Sequence, residues 1–139
     1  MKIKPYSSAL LALSGLLLAA MGVYFIFLRP SILPEDLRYM GSTPENIKQN
    51  VPGLFNWLQK VFWVMGGYIF TAGLLTVFVS VTSFRNRVPG AFSIVALAGI
   101  SSIGLMTVVN FIISSDFRWL LLIFTMPWAT ALILYRFHK

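Results

Sequence analysis

Four apolar runs without a charged residue place the strongest constraint on how this chain can fold. A helix needs about 20 apolar residues to cross the hydrocarbon core of a membrane. Three of the runs are long enough. The shorter fourth run is flanked by Arg118 and Arg136, whose side chains can reach outward to the headgroups. The runs cover residues 5–28, 61–84, 88–115 and 119–135.

This pattern predicts an all-α fold, an integral membrane bundle of four transmembrane helices in a single domain over residues 1–139. The predicted spans lie near residues 7–28, 55–84, 90–113 and 117–137. Residues 29–54 form an outer segment between the first two spans. Within this segment, Thr43 can cap a helix that starts at Pro44, and Pro34 can start another. We therefore expect short helices on the membrane surface.

Composition supports a membrane location and argues against nucleic acid. Apolar residues make up 58% of the chain and charged residues 11%, whereas soluble domains hold roughly 45–50% and 25%. The net charge is +7, but the basic residues flank the apolar runs, as interfacial anchors do. The expected partners are membrane lipids and other membrane subunits or further copies of the chain, and not nucleic acid.

The distribution of charge predicts the orientation. With a cytoplasmic N-terminus, the inner segments hold six basic residues and no acid, whereas the outer segments hold five basic residues and all four acids. Short basic segments favour the cytoplasmic side, so both termini are predicted to lie there. The inner basic residues are Lys2, Lys4, Arg85, Arg87, Arg136 and Lys139.

The first run has an alternative interpretation as a signal peptide, because Lys2 and Lys4 precede it. However, the run continues to Leu28, and the residues around Ala20 make a poor cleavage site. We therefore predict that the first run is an uncleaved transmembrane helix.

Small residues recur at helical spacing in the first two spans, and they predict where these helices pack. Helices in lipid associate by close backbone approach, which small side chains permit. The first stripe is Ser8, Ala12, Gly15, Ala19 and Gly22, and the second is Gly66, Gly73, Thr76 and Ser80, with Ala72 beside it. The short turns at residues 85–90 and 114–118 further predict that the second, third and fourth spans lie side by side and antiparallel.

Residues capable of chemistry are scarce. The chain has no cysteine, its one histidine is His138 beside the C-terminus, and none of its acids lies within a predicted span. These features argue against metal sites, nucleophilic catalysis and proton-coupled transport. We predict no catalytic, cofactor-binding or metal-binding residues, and we predict that the protein is not an enzyme.

A few polar or unusual residues remain as candidate contacts. Asn110 either bonds across to a neighbouring helix or contacts a ligand, and Trp128 near the bilayer midplane is either core packing or part of a ligand site. Pro127 should kink the fourth span and free the carbonyl of Ile123, with Thr125 and Thr130 nearby. An outer cluster either forms ion pairs or makes a headgroup or partner site; it consists of Glu35, Asp36, Arg38, Asp116 and Arg118.

Glycine-rich runs in the second span carry a resemblance to known proteins. Residues 64–68 read Val-Met-Gly-Gly-Tyr and residues 72–75 read Ala-Gly-Leu-Leu, and residues 115–119 read Ser-Asp-Phe-Arg-Trp. With the layout of a first helix, an outer segment and three more helices, the chain resembles the small bacterial four-helix membrane proteins of the DoxX-like and related uncharacterised families. The resemblance implies a bacterial inner-membrane protein and no particular activity.

Two functions are compatible with the sequence. The first is a non-catalytic accessory or structural subunit that packs in a larger membrane assembly, which the small-residue stripes favour. The second is a lipid-binding or small-molecule-binding or transport protein that acts as an oligomer, through the region of Asn110, Pro127 and Trp128 or a cleft beneath the outer segment.

Overall fold

A computed structural model describes residues 4–137, with side chains from residue 6 onward, and this part of the chain is helical without strands. Lys2, Lys139 and His138 lie outside the described residues. The π-helical turn Ser80–Phe84 continues α4, and a second π-helical turn, Ile100–Gly104, joins α5 to α6. The α-helices are α1 (Lys4–Phe27), α2 (Pro34–Met40), α3 (Pro44–Asn50), α4 (Leu54–Val79), α5 (Ala91–Gly99), α6 (Leu105–Ile112) and α7 (Arg118–Phe137).

Four helices are long and apolar enough to cross a membrane, and the prediction of four such helices is confirmed. The third of them is the α5–α6 helix, in which α5, the π-helical turn and α6 are continuous. Helix α1 begins at Lys4, three residues before the predicted start of the first span, and the other boundaries lie within one residue of the predicted ones. The four segments are Tyr6–Phe27, Leu54–Phe84, Ala91–Ile112 and Arg118–Phe137.

The segment between α1 and α4 contains the two short helices α2 and α3. Pro34 begins α2, which ends at Gly41, whose φ of 62° lies in the left-handed region that glycine tolerates. Thr43 caps α3, because its side-chain oxygen accepts a hydrogen bond of 3.3 Å from the backbone N–H of Asn46. Local cap chemistry therefore sets the limits of both helices.

The long helices form an open ring in the order α4, α1, α7 and the α5–α6 helix. The prediction that the second, third and fourth spans lie side by side is therefore right for the third and fourth spans and wrong for the second and third. α7 packs against α1 as well as against the α5–α6 helix, and α4 meets α5 mainly near their connecting turn, through Ser80–Phe84. A tight turn fixes only the ends of two helices, so packing elsewhere can hold the rest of them apart.

The contact between α1 and α4 is close along most of its length, and the small residues of both stripes lie in or beside it. A Cβ atom added to Gly15 would stand 2.8 Å from the carbonyl oxygen of Gly73, and one added to Gly66 would stand 2.8 Å from that of Gly22. Such separations leave no room for a side chain. The backbones of α1 and α4 therefore touch directly, as is usual for small-residue packing in lipid.

The remaining stripe residues extend this contact. Ser8 donates a hydrogen bond of 2.5 Å from its hydroxyl to the carbonyl oxygen of Ser80, where the π-helical turn begins. Thr76 donates instead to Ala72, one turn earlier in its own helix. Ala19 is buried and approaches Gly73, whereas Ala12 is half-buried.

α7 is held to the α5–α6 helix by Trp128, whose side chain is 3% exposed. Its indole Nε1–H donates a hydrogen bond of 3.1 Å to the carbonyl oxygen of Val95. The ring lies against Gly99, where a Cβ atom would collide with it. A buried indole with a satisfied N–H is a stable anchor, so Trp128 lies in the core.

Near Pro127, neither Thr125 nor Thr130 donates a hydrogen bond to the carbonyl of Ile123 within the described residues. Thr125 donates a hydrogen bond to Leu121, one turn earlier, and its oxygen is also 2.9 Å from that of Thr107. A threonine hydroxyl in a helix reaches back three or four residues and not two, so Thr125 bonds Leu121 and not the carbonyl that Pro127 frees.

Candidate functional site

The gap in the ring forms a groove between α4 and the α5–α6 helix, with α1 and α7 behind it. Its volume is about 830 Å³. Along the groove, the α5–α6 helix packs against α7, to which Trp128 bonds it, and it meets α4 mainly near the connecting turn.

Most of the groove wall is apolar. Met65 and Ile69 of α4 line one side, Met106 of α6 lines the other, and Leu121 and Phe124 of α7 lie at the back. Methionine is unbranched and flexible, so two methionines on opposite walls can adjust to occupants of different shape. The wall suits hydrocarbon.

One end of the groove is polar. This polar roof consists of Arg29, Glu35, Asp36 and Ser115, all of which line the groove. The two acids lie in the first turn of α2, Arg29 follows α1, and Ser115 lies in the turn before α7. Helix α2 therefore covers the end of the groove and directs its first turn inward.

Arg29 is held by Asp36 and by aromatic rings. Its side chain is 10% exposed, and its Nη2 is 3.4 Å from Oδ2 of Asp36, which also accepts a hydrogen bond from the backbone N–H of Leu33. The guanidinium lies 3.5 Å from the ring centre of Phe62 and 5.3 Å from that of Phe25. Both distances are within the range of cation–π attraction.

Burial lowers the pKa of the Arg29 guanidinium, and the negative charge of Asp36 opposes this change. Arginine starts from so high a pKa that it stays protonated in proteins. The roof therefore contains one permanent positive charge.

Glu35 is the most deeply buried acid of the described residues, with 2% of its surface exposed. Its Oε1 accepts a hydrogen bond of 3.1 Å from the hydroxyl of Ser115. Neither ion pair found in residues 4–137 includes Glu35, because Asp36 takes Arg29 and Asp116 takes Arg38. A buried carboxylate without a paired cation is energetically costly.

The predicted outer cluster divides into two parts. Arg38 and Asp116 form an ion pair of 2.7 Å on the surface, with side chains 57% and 63% exposed. Glu35 and Asp36 belong to the buried roof instead, and Arg118, which is half-buried, forms no ion pair within the described part of the chain. The predicted ion pairing occurs within the cluster between Arg38 and Asp116, whereas Asp36 pairs with Arg29 outside it, because successive residues of α2 point in different directions.

Asn110 lines the groove but does not bond across to a neighbouring helix. Its Nδ2 donates a hydrogen bond of 2.9 Å to the carbonyl oxygen of Met106, one turn earlier. The side-chain oxygen adds an acceptor to the groove wall. Within residues 4–137, no hydrogen bond of Asn110 crosses to another helix, so the predicted cross-helix bond is not present there.

A smaller cavity of about 260 Å³ continues the groove toward the connecting turn. Ala72, Ser101 and Ser102 line both cavities, and Trp128 lies at the far end of the smaller one. Both serines donate to carbonyl groups one turn earlier, so their hydroxyls are satisfied within the helix. The extension is narrow and presents no charged side chain.

Arg29 and Ser115 are site residues that sequence reasoning missed. From the sequence, Arg29 looked like an ordinary charge at the membrane interface. One signal of its contact with Phe25 was present, because residues four apart lie on the same side of a helix. Ser115 also accepts a hydrogen bond of 3.1 Å from the backbone N–H of Phe117, just before the start of α7. A serine in a turn gives no signal that it faces a buried acid.

Comparison with known proteins adds no relative. No protein-family model matches the sequence, and neither the curated proteins nor the solved structures contain a significant match. Within residues 4–137, histidine, cysteine, aspartate and glutamate form no group of three that could hold a metal ion. The groove and its polar roof are therefore the features from which a function can be argued.

Proposed function

We propose that this chain is a multi-pass membrane protein that binds one amphiphilic molecule, a membrane lipid, in the groove between α4 and the α5–α6 helix. The observation that carries the proposal is the apolar groove of about 830 Å³ that ends at a roof with buried charges. An amphiphile has the same two parts, a hydrocarbon tail and a polar head. No chemical step is part of the proposal.

The size and the sideways opening of the groove suit an amphiphilic ligand. Small-molecule sites measure about 300–1,000 Å³, and the groove lies within this range. The gap between α4 and the α5–α6 helix faces sideways out of the bundle, so an acyl chain can enter from the bilayer without crossing water. The methionines on the two walls favour occupants of variable shape.

The proposed location is the bacterial inner membrane, with both termini in the cytoplasm. The turn that contains Arg85 and Arg87 carries no acid, whereas the segment around α2 and α3 carries both signs of charge. In this orientation, the polar roof lies at the non-cytoplasmic headgroup level. A lipid of that leaflet would place its head beneath α2 and its tail along Met65 and Met106.

Filling the groove tests the proposal. Ser102 lines both cavities, so Ser102→Phe should place a ring where the acyl chain lies, whereas Ser93→Phe on the exposed surface of α5 makes the same chemical change away from the groove. Native mass spectrometry of protein mixed with palmitoyl-oleoyl phospholipids measures the bound lipid. We expect one retained lipid in the wild type and Ser93→Phe, and a loss of about tenfold in Ser102→Phe, equal to about 1.4 kcal/mol.

Equal lipid retention in Ser102→Phe and Ser93→Phe would contradict a lipid site in the groove. The unfolding midpoint of each variant in detergent serves as the control for folding. A folded Ser102→Phe protein with reduced retention supports the proposal directly.

A second candidate is an accessory subunit whose groove receives a helix of a partner protein. The observation in its favour is the set of small residues Ala72, Ala98 and Ser101 around the smaller cavity, because small residues allow helices to approach closely. Stoichiometric co-purification of another membrane protein, lost in Ser102→Phe, would favour this function. Purification of the chain alone with bound lipid would favour the first.

A further inference from the structure

We infer that the polar roof selects a zwitterionic phospholipid whose head carries a primary ammonium group, such as phosphatidylethanolamine. The inference rests on the proposed function and deepens it, because it names the chemical class of the occupant. Two buried groups of opposite charge carry it: the carboxylate of Glu35 and the guanidinium of Arg29, which both line the groove.

Glu35 is suited to receive the ammonium. Oε1 accepts the hydroxyl of Ser115, whereas Oε2 accepts no hydrogen bond from the described residues. No side-chain oxygen or nitrogen among those residues is both fully enclosed and without a partner, so Oε2 keeps an opening. Because Glu35 lines the groove, this opening lies where a head would sit.

The charge balance of the roof favours a cation from the ligand. Arg29 supplies one positive charge against the two negative charges of Glu35 and Asp36, and Asp36 holds Arg29 as its partner. Within residues 4–137, no ion pair includes the buried carboxylate of Glu35, and the roof as a whole has one more negative charge than positive. An ammonium group would form a charge-assisted hydrogen bond with Oε2, which is stronger than a bond between neutral groups.

Arg29 is suited to receive the phosphate of the same head. Its Nη1 donates to the carbonyl oxygen of Pro30 and its Nη2 approaches Asp36, and a guanidinium has five N–H donors in all. The three remaining N–H groups lie in the same plane and can donate to phosphate oxygens. Stacking against Phe62 fixes that plane.

A primary ammonium fits this roof better than a choline head does. A quaternary ammonium has no N–H to donate, and it is recognised by the faces of several aromatic rings. The rings nearest the roof, Phe25 and Phe62, are already occupied by Arg29. An anionic head without an amine would meet Arg29 but would bring a negative charge toward Glu35.

Headgroup competition on the purified full-length chain tests the inference. Native mass spectrometry would compare palmitoyl-oleoyl phosphatidylethanolamine, phosphatidylcholine and phosphatidylglycerol, which share the same acyl chains. We expect the first to be retained about tenfold better than either of the others, since hydrogen bonds to charged groups carry that magnitude. Equal retention of all three would overturn the headgroup assignment and leave the lipid groove intact.

Two substitutions test the ammonium contact and the phosphate contact of the lipid head separately. Glu35→Gln keeps the shape of the side chain and removes its charge, so phosphatidylethanolamine should fall to the level of phosphatidylcholine. Arg29→Gln should weaken all three phospholipids. Glu45→Gln, on exposed α3, is the matched control and should change nothing. Unchanged selectivity in Glu35→Gln would overturn the inference.

The competition on the wild type does not depend on how the variants fold. If the wild type retains no phospholipid in any mixture, the proposed function itself fails, and this outcome is distinct from binding without selectivity. Selective retention in the wild type that disappears in Glu35→Gln, but not in Glu45→Gln, supports both statements.

Discussion

Among the long helices, α4 follows α1 and precedes the α5–α6 helix, and it packs against the two in opposite ways. Against α1, the backbones touch at Gly15 and Gly73 with no space for a methyl group. Toward the α5–α6 helix, the side chains of α4 border a groove of about 830 Å³. The difference shows that closeness in sequence does not decide which helices pack together. The short turn joins α4 to the α5–α6 helix, and yet this is the pair that the groove separates.

The physical basis of the difference is the size of the residues on each face. Gly66 and Gly73 present a flat surface to α1, which brings many atoms within dispersion distance. On the other side, Met65, Tyr68 and Ile69 project into the groove. Bulky side chains without a complementary surface keep helices apart.

The largest effect on stability is expected from a substitution that forces α1 and α4 apart at their tight contact. Gly73→Leu places a branched side chain against the backbone of Ala19 and Gly15, and it should destabilise the fold by more than about 3 kcal/mol, beyond ordinary overpacking. Gly67→Leu is the control on the same helix, because a Cβ atom there meets nothing within 4 Å. The unfolding midpoint in a denaturing-detergent titration measures both, and similar midpoints would refute the contact.

A smaller effect is expected from loosening the wall of the groove. Trp128→Phe removes the indole N–H that bonds Val95 and leaves space beside Gly99, at a cost of about 1–2 kcal/mol. Trp57→Phe, on an exposed side chain, should cost almost nothing. The same titration compares them. Equal midpoints would mean that Trp128 does not hold α7 to the α5–α6 helix.

The smallest effect is expected at the surface pair beside the roof. Arg38 and Asp116 are more than half exposed, so their ion pair should contribute about 0.2–1 kcal/mol and less in high salt. A double-mutant cycle with Arg38→Ala and Asp116→Ala measures this coupling. A coupling well above that range would mean that the pair clamps α2 over the groove, and the roof would then be more rigid than its exposure implies.

Helix positions and caps were predictable because they depend on local sequence. Uninterrupted apolar runs set the four long helices, and Thr43 with Pro44 set the start of α3. The spacing of Gly15 and Gly22 also indicated a face for close packing. These signals come from a few neighbouring residues, and no distant contact alters them.

The groove and its roof were not predictable because they depend on which faces meet. The spacing of small residues indicates a face but not the helix that covers it. The short turn after α4 predicted packing against the α5–α6 helix along its length, whereas the two helices meet mainly near that turn. Glutamate is a residue type usually found on the surface, and Glu35 is buried because of how α2 lies over the bundle. Ser115 becomes its partner from 80 residues away.

The π-helical turn Ile100–Gly104 has a consequence for insertions and deletions. A π-helical turn contains one residue more than an α-helical turn, so it rotates all that follows by roughly 100° relative to a continuous α-helix. Met106 and Asn110 therefore point toward the groove only if the number of residues between Gly99 and Leu105 is kept, whatever the identity of those residues. Loss of one residue there would turn the wall away from the groove while leaving every remaining side chain unchanged.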